Sequence, residues 1–91
     1  MADIRDKVIR EANDNLKRTI ERQTVALSEL DFSVNTGDFK KAEQIRRDLL
    51  LLAACKHVYE LTVAGRFHAA ARAYKQYEVT FKDEFILHDH E

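Results

Sequence analysis

Seven consecutive apolar residues, Leu49-Leu50-Leu51-Leu52-Ala53-Ala54-Cys55, stand in a chain of which 34% is charged. A helix that is apolar all round has no face to give to water and must be covered from at least two sides. A chain of 91 residues has room for one domain and one core. The run therefore predicts the middle helix of a three-helix domain that spans residues 1–91.

The places where helices can break are few. There is no proline, and Gly37 and Gly65 are the only glycines. Proline and glycine are the residues that interrupt a helix most strongly. The division that follows is all-α: a three-helix antiparallel bundle with a long first helix and two Gly-centred turns. The 45% apolar content is that of a globular chain and argues against disorder.

From residue 3 to about 34, Ile9, Leu16, Ile20, Leu27, Leu30 and Val34 recur at spacings of seven, four, seven, three and four. This is the period of a helix with one narrow buried stripe, and it predicts that these residues face the core. The same heptad seam carries Asp6, Asn13 and Gln23 where a dry core would take Leu or Ile, and a seam Asn can set register in coiled coils. Some thirty residues at helical rise reach roughly 45–50 Å, more than either later helix can cover. The first three turns are expected to overhang the bundle.

In the second helix, residues 39 to about 63, one face holds Ala42, Ile45, Leu49, Leu52, Tyr59 and Val63. Leu50, Ala53, Ala54, Val58 and Leu61 widen it to a second face, and the stem of Lys56 can lie along apolar surface. The third helix, from residue 67, carries an aromatic stripe of Phe67, Tyr74, Tyr77, Phe81 and Phe85, with alanines that let backbones approach. Such a stripe predicts packing. The end, Phe85-Ile86-Leu87 among acids, either completes this helix or forms a short docking tail, and both remain open.

The two breaks match. Gly37-Asp38-Phe39-Lys40-Lys41-Ala42 and Gly65-Arg66-Phe67-His68-Ala69-Ala70 share Gly-x-Phe-x-x-Ala, 28 residues apart. Glycine turns the chain, the aromatic is expected to plug the gap between helices, and alanine permits close contact. Asp38 is placed to cap the second helix. The pattern resembles the turn of tetratricopeptide repeats, whose longer period of about 34 residues differs from this one. Residues 30 to 52, including Asp38-Phe39-Lys40-Lys41-Ala42-Glu43-Gln44-Ile45, resemble the helical hairpin of the UVR motif. They are similar also to the C-terminal domain of J-type iron–sulfur co-chaperones. Those families use such hairpins to bind partner proteins, so the resemblance implies protein binding. The J domain's His-Pro-Asp signature has no counterpart in a chain without proline, and no functional residue is carried over.

Chemistry finds little foothold. Cys55, His57, Glu60, His68, His88 and His90 are the metal-ligand types, but a structural site needs four that converge, typically as two close pairs. No metal or cofactor is expected. A nucleophile needs a base and an oxyanion donor, and two short turns with no glycine-rich loop provide neither, so the chain reads as non-enzymatic. A single cysteine excludes an internal disulfide framework, and Cys55 reads as a small buried hydrophobe. No apolar segment approaches the roughly twenty residues of a membrane span, and the N-terminus is charged at once, so a cytoplasmic protein without membrane contact is expected.

A formal charge of −1 gives no net field for polyanions. Lys40, Lys41, Arg46 and Arg47 cluster locally and make a nucleic-acid-associated protein the alternative, although Glu43 and Asp48 are interleaved with them at helix spacing. The principal expectation is a small protein-binding module, an adaptor or stoichiometric inhibitor. Its surface is the overhanging part of the first helix, Ile4, Val8, Ile9, Asn13 and Leu16, with the aromatic edge Tyr74 and Tyr77. A homodimer through the same seam is a further expectation, and a chaperone-type hairpin recruiting a client is a third reading.

Overall fold

A computed structural model describes residues 3–85. Its helices are α1 (Ile4–Asn35), α2 (Phe39–Val63) and α3 (Phe67–Phe81), followed by a 3₁₀ turn at Lys82–Glu84. They form an antiparallel three-helix bundle with α2 in the middle, packed on one side by α1 and on the other by α3. No strand occurs among the described residues.

Local chemistry accounts for each boundary. Asp3 opens α1 by accepting the amide of Arg5 at 3.1 Å, and Asp38 opens α2 by accepting the amide of Lys41 at 3.2 Å, as N-cap carboxylates do. Both glycines close a helix in the same way. Gly37 has φ +79°, and the amide of Asp38 reaches back to the carbonyl of Ser33 at 2.9 Å. Gly65 has φ +78°, and the amide of Arg66 reaches the carbonyl of Leu61 at 2.9 Å. These are Schellman caps, which need a left-handed residue that only glycine adopts freely. The alanine five residues on is buried in each copy of the repeat, Ala42 and Ala70. The aromatic is not a plug in both: Phe67 is half-buried, but Phe39 is 70% exposed at the tip of the α1–α2 hairpin.

The largest correction concerns α1. Its buried residues are Ala12, Asn15, Thr19 and Ser33, with Ala26 half-buried on the same heptad row. The apolar stripe expected to face the core is rotated off it: Ile20, Leu27 and Val34 are exposed, and Ile9, Leu16 and Leu30 are half-buried. The cause lies in α2, whose Leu52 and Tyr59 lie across from Asn15 and Thr19 of α1. Bulky side chains pack deepest into a row of small ones, whereas two bulky rows hold helices apart.

The leucine run is covered on two sides, as an apolar helix requires, but not all round. Ala54 is buried, Leu49, Leu51, Leu52 and Cys55 are half-buried, and Leu50 and Ala53 point outward. The reason is length, since α3 has 15 residues against 25 in α2 and spans only part of it. Beyond α3, Lys82 adopts φ 54° and ends the helix. The chain folds back there, so that Phe85 is buried with Ala54, Val58 and Ala70. Of the two readings of the end, docking therefore holds for Phe85, while Ile86 and Leu87 lie outside the described residues.

Two substitutions check this packing. Ser33 is 1% exposed, and its Oγ is buried with no hydrogen-bond partner. Ser33→Ala removes an unsatisfied hydroxyl and adds helix propensity, so urea unfolding should show a gain of roughly 0.5–1 kcal/mol. Phe85→Ala should cost about 3 kcal/mol in the same assay, because it empties the site between α2 and α3.

Candidate functional site

Three surfaces compete for a role. The first is α1. Ala12 is its first buried residue, and every residue before it is exposed except the half-buried Ile9. At helical rise α1 is about 48 Å long and α2 about 38 Å, in a molecule 55 Å along its longest axis. The free turns are therefore residues 4–11. Ile4 is 75% and Val8 40% exposed, while Asn13 and Leu16 are half-buried where α1 begins to run along α2.

Beyond the overhang the same helix shows more apolar surface that sequence reasoning assigned to the core, at Ile20, Leu27 and Val34. A signal for this was present. Ala12, Thr19, Ala26 and Ser33 repeat every seven residues, and a row of small residues marks the side on which a neighbouring helix can come close.

Tyr74 and Tyr77 lie elsewhere. They belong to an aromatic cluster of tilted rings in which Tyr74 lies 5.6 Å from Phe85, and Tyr77 5.5 Å from Phe85 and 6.2 Å from Phe81. The Tyr77 hydroxyl also meets His57 Nδ1 at 2.8 Å across from α2. Both tyrosines are half-buried and join α3 to α2. The structure does not bring them together with Ile4 and Val8, because α1 and α3 each pack on α2.

The second surface is the basic start of α2. Lys40, Lys41, Arg46 and Arg47 are all exposed. Arg47 forms a two-pronged ion pair with Glu84, in which Nε donates to Oε2 at 2.8 Å and Nη2 donates to Oε1. Arg46 stands 4.0 Å from Glu43. Two of the four cations are thus directed toward carboxylates of the same chain, which lowers the local field available to phosphates.

The third is an open groove of about 380 Å³ between α1 and α2. Asn15, Arg18, Thr19 and Arg22 line one wall, Asp48, Leu52, Cys55 and Tyr59 are among the residues of the other, and Glu84 closes one end. Thr19 is turned inward and donates its hydroxyl to the carbonyl of Asn15 at 2.8 Å. Arg18 and Arg22 share the lining with Asp48 and with Glu84, whose carboxylate is already paired with Arg47. No histidine lines the groove. Burial pushes the Cys55 thiol up, with Arg22 pulling weakly the other way.

Among the described residues, no three His, Cys, Asp or Glu side chains gather where a metal could be held. His88 and His90 lie outside that range. No helix among the described residues is long and apolar enough to cross a membrane. No family model, no curated protein and no solved structure matches this chain.

A raised thiol pKa means less thiolate at a given pH, and thiolate is the reactive form. Cys55 should therefore react with a disulfide reagent at pH 8 more slowly in the folded chain than in urea. Arg22→Gln, which removes the charge favouring the thiolate, should slow it further.

Proposed function

We propose that this chain works by binding another protein through the outward apolar side of α1 and has no chemistry of its own. The observation that carries the reading is the orientation of α1. Small residues fill its contact with α2, which leaves Ile20, Leu27 and Val34 in water, while Ile4 and Val8, on the row of Ala12 and Asn15, are exposed where α1 runs past α2. Scattered exposed apolar residues are ordinary on a protein surface, but a contiguous row along one helix marks an interaction face. An amphipathic partner helix laid on such a row gains its energy from apolar burial.

Ile9, Asn13 and Leu16 continue the row toward the overhang, and they complete the surface. Tyr74 and Tyr77 support it indirectly by holding α3 on α2. Whether the outcome for the partner is recruitment or inhibition depends on what that partner does with the occupied surface, and either suits a module of this size.

The test is chemical cross-linking of the full chain in its native host, read by mass spectrometry. Cross-links to other proteins should concentrate on α1, and Leu27→Asp should remove them without changing the helical circular dichroism. Cross-links that instead map to Lys40 and Lys41, and survive Leu27→Asp, would show the chosen face to be wrong.

A further inference from the structure

The outward row on α1 has a spacing that specifies what sits on it. Ile9, Asn13, Leu16, Ile20, Gln23 and Leu27 alternate steps of four and three, and Leu30 and Val34 continue the alternation. A strict average of 3.5 residues is the seam of a coiled coil, where each residue enters a hole on a facing helix. Within one chain the facing helix is absent: α2 occupies the adjacent small-residue row, and the seam is half-buried or exposed along its length. We infer that a second copy of this chain fills the seam, with the two α1 helices antiparallel and Leu16 of each facing Leu27 of the other. This rests on the protein-binding reading of α1 and names one partner for it.

Four observations bear on that occupant, and the charges and the overhang also on its direction. The first is area. A 10.6 kDa chain folded compactly would expose about 5,500 Å², and this one exposes 6943 Å². Its radius of gyration is 15.0 Å, against about 12 Å for a compact domain of this length. A stable interface takes about 800 Å² from each partner, and the surplus is large enough to supply it.

The second is charge. The heptad row on the flank of the seam away from α2 reads Asp3, Arg10, Lys17, Thr24 and Asp31. Head-to-tail alignment sets Arg10 of one copy near Asp31 of the other, whereas parallel alignment sets this row against the small residues Ala12, Thr19, Ala26 and Ser33 and pairs no charges. The third is the polar seam residue Gln23. With Leu16 facing Leu27, the two Gln23 side chains lie in adjacent layers beside the two-fold axis, where their amides can bond to each other.

The fourth is the overhang. The same register runs residues 4–11 of one copy alongside the hairpin tip of the other, where Phe39 is exposed. It thus covers two exposed features that no contact within the chain explains. On the α2 side, the outward Ala53 lets the two α2 helices approach, and the dimer closes as a four-helix bundle around the α1–α2 hairpins.

Light scattering coupled to gel filtration on the full chain tests this. The expected mass is twice that of the chain, and Leu27→Asp should weaken association by more than about a hundredfold by placing an unpaired charge in the seam. Circular dichroism should report that variant still folded, since Leu27 is 54% exposed. Arg10→Glu and Asp31→Arg should each weaken association by roughly two- to fivefold, and the double variant should restore it. A chain that stays monomeric at high concentration overturns the proposal. So does a dimer that survives Leu27→Asp, or one that the double charge reversal fails to restore. A monomer whose cross-links to other proteins vanish with Leu27→Asp overturns self-association alone and leaves the binding reading intact. A dimer with no such cross-links leaves self-association standing and removes the adaptor reading.

Discussion

Everything in this molecule follows from how closely α1 and α2 approach. Ala12, Thr19, Ala26 and Ser33 form a shallow row on α1, and larger side chains of α2, among them Leu52 and Tyr59, lie across from it. Bulky-into-small packing maximises short-range contact between the two backbones, and interiors are held together by the number of such contacts. The Schellman caps at Gly37 and Gly65 set the reversals that bring the three helices side by side. Their left-handed glycines show why the two breaks share a sequence pattern.

That approach has a cost elsewhere. A core built on alanines removes little apolar area from water, and burial scales with area at about 25 cal/mol per Å². Among the described residues, four of the eight buried apolar side chains are alanine. The deficit is partly offset by α3, whose aromatic side chains gather around Phe85 once Lys82 has turned the chain back. The remainder of the large apolar inventory, above all the seam of α1, stays outside. The chain thus carries its most extensive helix contact and a strip of exposed apolar residues on two sides of one helix.

Much of the fold was legible because it rests on local rules. The leucine run required neighbours on two sides, the absence of proline left glycine as the only strong breaker, and Asp38 stood where a cap was needed. The orientation of α1 was not legible from apolar periodicity, which finds a stripe but does not say whether it faces α2 or water. The row of small residues beside it contained the answer, and reading it requires knowing that the helix across is bulky. Phe39 misled in a similar way: its counterpart Phe67 is half-buried, but Phe39 lies on the open side of the hairpin tip, and the motif is the same in both. On the candidate surface, the overhang followed from helix lengths alone. Tyr74 and Tyr77 belong to packing because of Phe85, whose burial depends on a left-handed turn at a lysine that no propensity rule anticipates.

The distribution of exposed apolar residues separates recognition from mere exposure. Val25 and Phe32 are 58% and 67% exposed but lie on the far side of α1 from the seam, isolated among polar neighbours, and isolated apolar residues need no partner. Ile20, Leu27 and Val34 repeat every seven residues and are joined by half-buried neighbours into a continuous strip. Interleaved charges on the same helix, Arg10, Lys17 and Asp31 among them, rim that strip with both signs. A rim of both signs keeps an apolar strip in solution, and in the proposed dimer it weights the antiparallel alignment, which alone sets Arg10 against Asp31. In the proposed complex, burial along the strip supplies the affinity, and the charges along its edge supply the direction.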